Sequence, residues 1–297
     1  IQFAPIWGTS LDGFTSHVPW LNKLGVTLDL GVDSVAMMLV LLTTLLTPLC
    51  VLGSFSAITF RVKEYYAWLL ILETAMVGVF AAQDIILFYV SFELTLVPMF
   101  FLIAIYGGKN RAHASIKFFI YTFTGSLFTL AGLLYVAWTY KETHLYDTWS
   151  FAIHDLAKFA STDLSATEQG WILLALLSGF AVKIPVFPVH TWLPLAHTEA
   201  PTAGSVILAG VLLKLGTFGV YRFVLPMVPE AVVAYAPMIA VLAIIGILYA
   251  ALICWVQDDI KKLVAYSSVS HLGFCVLGLI ALNPIGLEGA VLYMINH

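Results

Sequence analysis

The chain has 297 residues, of which 61% are hydrophobic and only 10% are charged, with a formal net charge of -4. Soluble globular domains are about 25% charged, so this composition excludes an ordinary soluble domain and indicates a polytopic membrane protein. The small net charge is spread over the loops and indicates no nucleic-acid partner, and the three cysteines lie far apart in apolar segments without a metal-site or disulfide spacing.

Apolar segments of about 20 residues recur along the chain, as membrane-spanning helices require. We predict the following spans, with a ninth that begins near Ile285: 33–59, 65–82, 84–106, 115–139, 170–197, 203–225, 231–256 and 261–283. The second and third spans form a hairpin that turns at Gln83 and Asp84, where Asp84 caps the following helix. The segment 140–169 is predicted to be a long polar loop on the outer side. No change of composition marks a second domain, so residues 1–297 are predicted to form one all-α transmembrane domain.

Basic residues are unevenly distributed between alternate loops. The predicted inner loops contain Arg61, Lys63, Lys109, Arg111, Lys261 and Lys262. The predicted outer loops contain Lys23, Lys141 and Lys158, although 140–169 is the longest loop. Because cytoplasmic loops carry an excess of Lys and Arg, this bias predicts that the chain starts on the outer side.

The fifth span contains three prolines, Pro185, Pro188 and Pro194, within AVKIPVFPVHTWLPLAH. Each proline removes a backbone donor and clashes with the preceding helical turn. We therefore predict that the helix breaks over residues 184–192. Broken helices at membrane depth are tolerated where they are buried in protein or line a wet cavity, and they recur in ion transporters. Lys183 lies at the end of the first half-helix, where the helix dipole favours a cation.

Three charged residues, Glu93, Lys183 and Lys214, lie inside apolar stretches long enough to cross a bilayer. A charge at mid-membrane costs about 2.5–3.5 kcal/mol on insertion scales, and such residues usually face an interior path for ions or protons. The pattern predicts that Glu93 and Lys183 face each other inside the bundle. A lysine whose proton affinity depends on a nearby carboxylate can load and unload a proton. The alternative interpretation is an ion pair that only holds two helices together.

Four further residues are candidates for proton relay. His271 follows three serines in YSSVSHLGF, a stretch polar enough to hold water, although a lone buried histidine can also be a satisfied core residue. His190 and His197 flank the predicted break and could be relay groups or polar caps. Glu73 is a mid-span candidate of the same kind. The sequence contains no Gly-rich phosphate loop, no cysteine cluster and no paired-His site, so we predict no cofactor in this chain.

Three segments carry a family resemblance: SFELTLVPMFFLIAIYG, AVKIPVFPVHTWLPLAHTEAPTAGSVILAGVLLKLG and DDIKKLVAYSSVSHLGF. They resemble the antiporter-like subunits of respiratory complex I, specifically the M type, called subunit 4 in mitochondria and chain 13 in some bacteria. The same family includes the large subunits of multisubunit sodium/proton antiporters and of membrane-bound hydrogenases. The resemblance implies fourteen transmembrane helices in which two inverted repeats each hold one broken helix. The chain opens with Ile1, and we expect it to be a fragment that lacks two helices before Ile1 and the second broken helix beyond His297.

The resemblance implies a proton-translocating membrane subunit of NADH:quinone oxidoreductase. Protons would pass from Glu93 and Lys183 to Lys214 and onward through His271, with His297 as a further relay. The partners would be other membrane-arm subunits and the lipid bilayer, and the location would be the bacterial plasma membrane. NADH, FMN, iron–sulfur clusters and quinone would be bound by partner subunits. Two alternatives stay open: a subunit of an independent sodium/proton antiporter, and a structural membrane subunit.

Overall fold

A β-hairpin precedes the first helix in the computed structural model, which describes residues 15–21, 26–143 and 149–297. Strand β1 (Thr15–Leu21) pairs antiparallel with β2 (Val26–Gly31). The sequence predicted an all-α chain, and this hairpin is a difference from that prediction. An isolated two-stranded ribbon is marginally stable, and this one is held by a distant segment, because Leu30 forms a bridge with Ala82.

The rest of the described chain is helical, as predicted. The helices are α1 (Ser34–Gly53), α2 (Val62–Ala81), α3 (Ile85–Leu94), α4 (Leu96–Tyr106), α5 (Arg111–Thr143), α6 (Ile153–Asp163), α7 (Ala166–Lys183), α8 (Leu193–Glu199), α9 (Thr202–Met227), α10 (Pro229–Trp255), α11 (Ile260–Ile280) and α12 (Pro284–Asn296). Seven spans in the described part of the chain are long and apolar enough to cross a membrane: α1, α2, α3 with α4, α5, α9, α10 and α11. The predicted polytopic helical bundle is therefore confirmed.

The predicted helix break is confirmed. Helix α7 ends at Lys183 and α8 begins at Leu193, with only turns between them. The Trp192 indole Nε1–H donates a hydrogen bond to the carbonyl of Val182 at 2.9 Å. Because the last carbonyls of a helix lack intrahelical donors, this side chain stabilises the end of α7 inside the bundle.

The segment 140–169 is more ordered than predicted. It contains the end of α5, all of α6 and the start of α7, while residues 144–148 lie outside the described residues. Lys23, which was predicted to lie in an outer loop, is also outside the described residues. Helix α6 buries Ile153, Leu156, Phe159 and Ala160. This spacing of three to four residues places the apolar side chains on one face, so α6 packs on the bundle as an amphipathic helix. The prediction of a loop is wrong for residues 153–163.

The predicted inner loops meet at one end of the bundle. The Glu199 carboxylate accepts a hydrogen bond from the Asn110 backbone N–H at 3.0 Å, and the Lys261 ammonium donates to the carbonyl of Ala200 at 2.9 Å. These contacts join the α4–α5, α8–α9 and α10–α11 connections. Which end faces the cell interior stays a prediction from loop charge.

Glycines allow close helix crossings next to the broken helix. A Cβ atom at Gly179 of α7 would lie 2.2 Å from the Thr129 hydroxyl and 2.9 Å from the carbonyl of Gly125, both on α5. On the other side, a Cβ atom at Gly216 of α9 would lie 2.6 Å from Ile184. Small residues let helices approach closely inside membranes. The crossings hold the end of α7 between α5 and α9.

Candidate functional site

Glu93 lies on α3, two residues before Thr95, which separates α3 from α4. Its Oε1 atom is buried and has no hydrogen-bond partner among the described residues. The buried Ser126 of α5 lies beside the carboxyl group. A buried polar atom without a partner is costly unless a water or a proton satisfies it. The surroundings of Glu93 therefore favour binding of a water or a proton.

Lys183, the last residue of α7, is 2% exposed. Its ammonium donates a hydrogen bond to the Thr95 hydroxyl at 3.2 Å and lies 4.7 Å from the centroid of the Phe92 ring. The latter distance is within the range of a cation–π interaction. The Thr95 hydroxyl itself donates to the carbonyl of Phe92 at 2.7 Å. A hydroxyl and an aromatic face, both neutral, thus hold the ammonium.

Glu93 and Lys183 occupy the same interior region, in agreement with the sequence prediction. Their charges lie close enough to interact, yet within the part of the chain that the structure describes they form no direct ion pair. The ammonium turns to Thr95 instead. The alternative interpretation, an ion pair that locks two helices together, finds no support in this geometry. The proton role of both residues stays a prediction.

Lys214 is fully buried in the middle of α9. Its ammonium lies 2.9 Å from His297 Nδ1, at the end of α12. It also donates a hydrogen bond to the carbonyl of Ala209, one turn earlier in its own helix. Lysine stems can carry a charge to the membrane interface when they are near a helix end, but this one is held between two helices inside the bundle.

Two π turns flank Lys214 in α9, at Leu208–Leu212 and Val220–Val224. A π turn adds one residue to the helix, and each added residue turns the side chains beyond it by about 100°. Such turns often occur at functional sites. They could not be predicted from the sequence, because the span contains no proline or charge cluster to mark them. They decide which face of α9 presents Lys214.

His297 and His271 extend the cluster around Lys214. The Nε2 atom of His297 lies 3.1 Å from the Ser268 hydroxyl of α11, and the two imidazole rings are 5.6 Å apart. His271 Nδ1 lies 2.6 Å from the Tyr293 hydroxyl of α12. The structure therefore brings three predicted candidates together. It changes their order, because His297 contacts Lys214 directly and His271 is one ring further away.

His190 and His197 are buried beside the break, and their roles as relay groups or as polar caps stay predictions. Neither ring nitrogen of His197 has a hydrogen-bond partner in the described chain, and Nδ1 of His190 has none. Two carbonyls on the flanking helices accept from other side chains. The indole of Trp192 serves Val182, and the Ser205 hydroxyl serves the carbonyl of His197 at 2.9 Å. His190 packs instead between the rings of Phe187 and Tyr249.

Glu73 is not brought to the other candidates. It is half-buried on α2. Among the described residues it has no hydrogen-bond partner, and no charged side chain lies close enough to interact with it. Its predicted relay role thus has no structural connection to the groups around Lys183 or Lys214.

Arg222 heads a buried polar network that the sequence analysis missed. It lies in the second π turn of α9 and is 6% exposed. One guanidinium nitrogen lies 2.6 Å from the Asp33 carboxylate, and the other donates to the Gln83 side-chain oxygen at 2.5 Å. The signal for this network in the sequence was an arginine close to the end of an apolar span. An arginine at that place resembles an ordinary interfacial residue.

The side chains gathered in the interior are a carboxyl, two ammonium groups, imidazoles and hydroxyls. All of them bind or release protons, or hold water, without any further group. In the described ranges, no set of three or more His, Cys, Asp or Glu side chains could hold a metal ion. Cys50 and Cys275 are buried free thiols, and Cys254 is a partly exposed free thiol.

Comparison with known proteins identifies a matching family and similar proteins. Residues 82–297 match the family described as NADH:quinone oxidoreductase/Mrp antiporter, transmembrane. NADH-quinone oxidoreductase subunit M of Rickettsia conorii is 41% identical over 285 residues, which are 96% of this chain and 56% of the relative. The chain thus spans about half the length of such curated relatives.

Two solved structures share the fold. A chain of respiratory complex I from Thermus thermophilus with bound NADH superposes with a TM-score of 0.82 at 30% identity, covering 94% of this chain and 57% of that one. A chain of the Mrp complex from Dietzia sp. gives a TM-score of 0.81 over 95% of this chain and 30% of that one. Its 23% identity shows a common fold alone.

Proposed function

The chain belongs to the NADH:quinone oxidoreductase/Mrp antiporter transmembrane family, and on this premise we propose that it conducts protons as part of a membrane subunit of NADH:quinone oxidoreductase. The observation that carries the proposal is the contact between Lys214 and His297. It joins α9 to α12 through two titratable groups in the interior. Buried ionisable residues in membrane proteins usually mark such a path.

The proposed path begins at Glu93 and Lys183. Glu93 has a buried oxygen free to take a proton or a water, and Lys183 is held by a hydroxyl that can both donate and accept. A proton that enters between them changes the charge balance of the pair. Because charges at this depth are poorly screened, loading one group favours release from the other.

The second part of the path runs from Lys214 to His271. The proton passes from the Lys214 ammonium to His297, which lies at hydrogen-bond distance. It then passes to His271, whose ring lies 5.6 Å from that of His297. Ser268 and Tyr293 hold the two imidazoles in place. Lys183 and Lys214 lie on α7 and α9, which are neighbours in the bundle, and water would carry the proton between them.

Redox chemistry is assigned to other subunits in this proposal. NADH, FMN, iron–sulfur clusters and quinone would be bound by partner subunits, and other membrane-arm subunits would surround this chain in a bacterial plasma membrane. The relative from Rickettsia conorii is named a subunit of such an oxidoreductase. Electron transfer in those partners would drive the loading and unloading of the lysines.

The alternative is a subunit of a multisubunit sodium/proton antiporter. The shared fold with the Mrp complex and the family description favour it. The higher identity to subunit M favours the oxidoreductase. Purification of the intact complex separates the two, because only the oxidoreductase would reduce quinone with NADH.

The experiment that tests the proposal replaces His297 by Leu in the full-length protein and measures proton uptake by the assembled complex in vesicles. We expect uptake to fall at least tenfold, since Lys214 loses its imidazole partner. Ser267→Ala is the control, because this partly exposed serine contacts none of the site residues. Normal uptake by an assembled His297→Leu complex would contradict the proposed path.

A further inference from the structure

The polar network around Arg222 lies outside the proposed proton path but on the same helix as Lys214. We propose that Arg222 is a positioning residue, which sets the rotation of α9 and so holds Lys214 against His297. The inference rests on the proposed function of Lys214. Arg222 lies closer to the end of α9 than Lys214 does, and it contacts neither Lys183 nor Lys214.

Arg222 contacts two separate segments of the chain. One guanidinium nitrogen contacts the Asp33 carboxylate at 2.6 Å, and the other donates to the Gln83 amide oxygen at 2.5 Å. A planar guanidinium offers several donors in a fixed geometry, whereas a lysine ammonium is a single compact charge. The direction of the side chain is therefore fixed by two contacts rather than one.

The two partners of Arg222 are themselves anchored. The second carboxylate oxygen of Asp33 accepts a hydrogen bond from the Ala36 N–H at 2.8 Å and caps the start of α1. The Gln83 side-chain N–H donates to the carbonyl of Gly31 at 2.7 Å, at the end of β2. Arg222 thus ties α9 to the hairpin, to α1 and to the α2–α3 turn.

This anchor acts on Lys214 through the π turn that contains Arg222. Arg222 lies eight residues after Lys214, a rise of about 12 Å along the helix. A π turn is an unusual conformation that persists where its surroundings hold it. When the anchor is lost, the turn can relax to α-helical hydrogen bonding. Losing one extra residue rotates one part of the helix against the other by about 100°, which turns Lys214 away from His297.

The rotation of α9 can be measured without any proton transport. A Cβ atom at Gly210, four residues before Lys214, would lie 2.7 Å from the Leu46 side chain of α1. The pair Leu46→Cys and Gly210→Cys, built with Cys50→Ala to remove the nearby native thiol, therefore reports the register by disulfide formation.

The test compares oxidative cross-linking in the assembled full-length complex with and without Arg222→Leu. We expect the fraction cross-linked to fall at least threefold. Proton uptake, measured without the introduced cysteine pair, should fall by a similar factor. Arg222→Lys, which keeps one of the two contacts, should give an intermediate result, and it serves as the test variant if Arg222→Leu does not assemble. Arg61→Leu is the matched control, because Arg61 belongs to an exposed pair with Glu64.

Unchanged cross-linking of the Leu46→Cys and Gly210→Cys pair in the assembled Arg222 variant would overturn the positioning role. Reduced cross-linking with normal proton uptake would leave the positioning role standing and contradict the proposed function of Lys214. The two failures are therefore distinguishable.

Discussion

Lys183 and Thr95 contact each other at two helix interruptions. Lys183 is the last residue of α7, Thr95 separates α3 from α4, and the ammonium donates to the hydroxyl at 3.2 Å. Both residues are buried. Interrupted helices expose backbone polar groups that need solvent or side-chain partners. The contact therefore places a titratable group beside backbone polar groups that can bind water.

Thr95→Val should reduce proton uptake about fivefold. The substitution keeps the side-chain volume and removes the hydroxyl that accepts from Lys183, and an unsatisfied buried charged donor costs about 1–3 kcal/mol. The measurement is proton uptake per assembled complex in vesicles. Thr95→Ser is the control and should keep most of the activity, because its hydroxyl can take the same contact. Equal uptake by the Val and Ser variants would show that the contact has no role.

Ser268→Ala should reduce proton uptake by about two- to tenfold, whereas Ser267→Ala should not. Both hydroxyls donate to the carbonyl of Val264, at 3.1 and 2.8 Å, but Ser268 alone contacts His297. A hydrogen bond is worth about 0.5–1.5 kcal/mol. The pair of variants thus isolates one contact in an otherwise common setting, and a similar effect of both would count against the relay through His297.

Trp192→Phe should lower the free energy of unfolding of the detergent-solubilised protein by about 1–3 kcal/mol. The phenyl ring keeps the packing against Phe118, but the carbonyl of Val182 loses its donor. Denaturant titration monitored by circular dichroism measures the change. Trp171→Phe is the control, because Trp171 is 69% exposed. An unchanged midpoint for Trp192→Phe would show that another donor satisfies the end of α7.

Gly179→Ala should destabilise the protein by about 1–3 kcal/mol, since the added methyl group meets the Thr129 hydroxyl at 2.2 Å and the α5 backbone at 2.9 Å. Gly289→Ala in α12 is the control, because nothing lies within 4 Å of its Cβ position. That substitution should be neutral or slightly stabilising, as Ala is the better helix former. The reverse order of stability would contradict the described α5–α7 crossing.

The broken helix could be predicted from sequence because its cause is local. Three prolines within ten residues cannot be part of one regular helix, whatever the rest of the bundle does. The predicted break matched the interval between Lys183 and Leu193. The cap of α3 by Asp84 was predicted for the same reason, and its carboxylate accepts from the N–H groups of Ile86 and Leu87.

The contacts around Lys214 could not be predicted, because their cause is not local. His297 is distant in sequence, and its approach depends on the two π turns that rotate α9. The pairing of Arg222 with Asp33 has the same origin. Sequence pattern identified which side chains are out of place in an apolar span, but only the packing of helices decides which of them meet.

We propose that Lys183 and Glu93 carry protons and do not merely stabilise the bundle. Replacing either by Ala removes a titratable group from the start of the path. It also leaves the remaining charge in a region of low dielectric without its counterpart. Lys158→Ala is the matched control, because Lys158 lies exposed on α6.

The most direct measurement is proton uptake by vesicles that contain the assembled Lys183→Ala complex, with assembly and the content of redox centres determined on the same sample. We expect uptake per assembled complex to fall at least tenfold, while the redox centres in the partner subunits are retained and Lys158→Ala behaves as the wild type. Wild-type uptake by an assembled Lys183→Ala complex would contradict this expectation and leave Lys183 a structural residue.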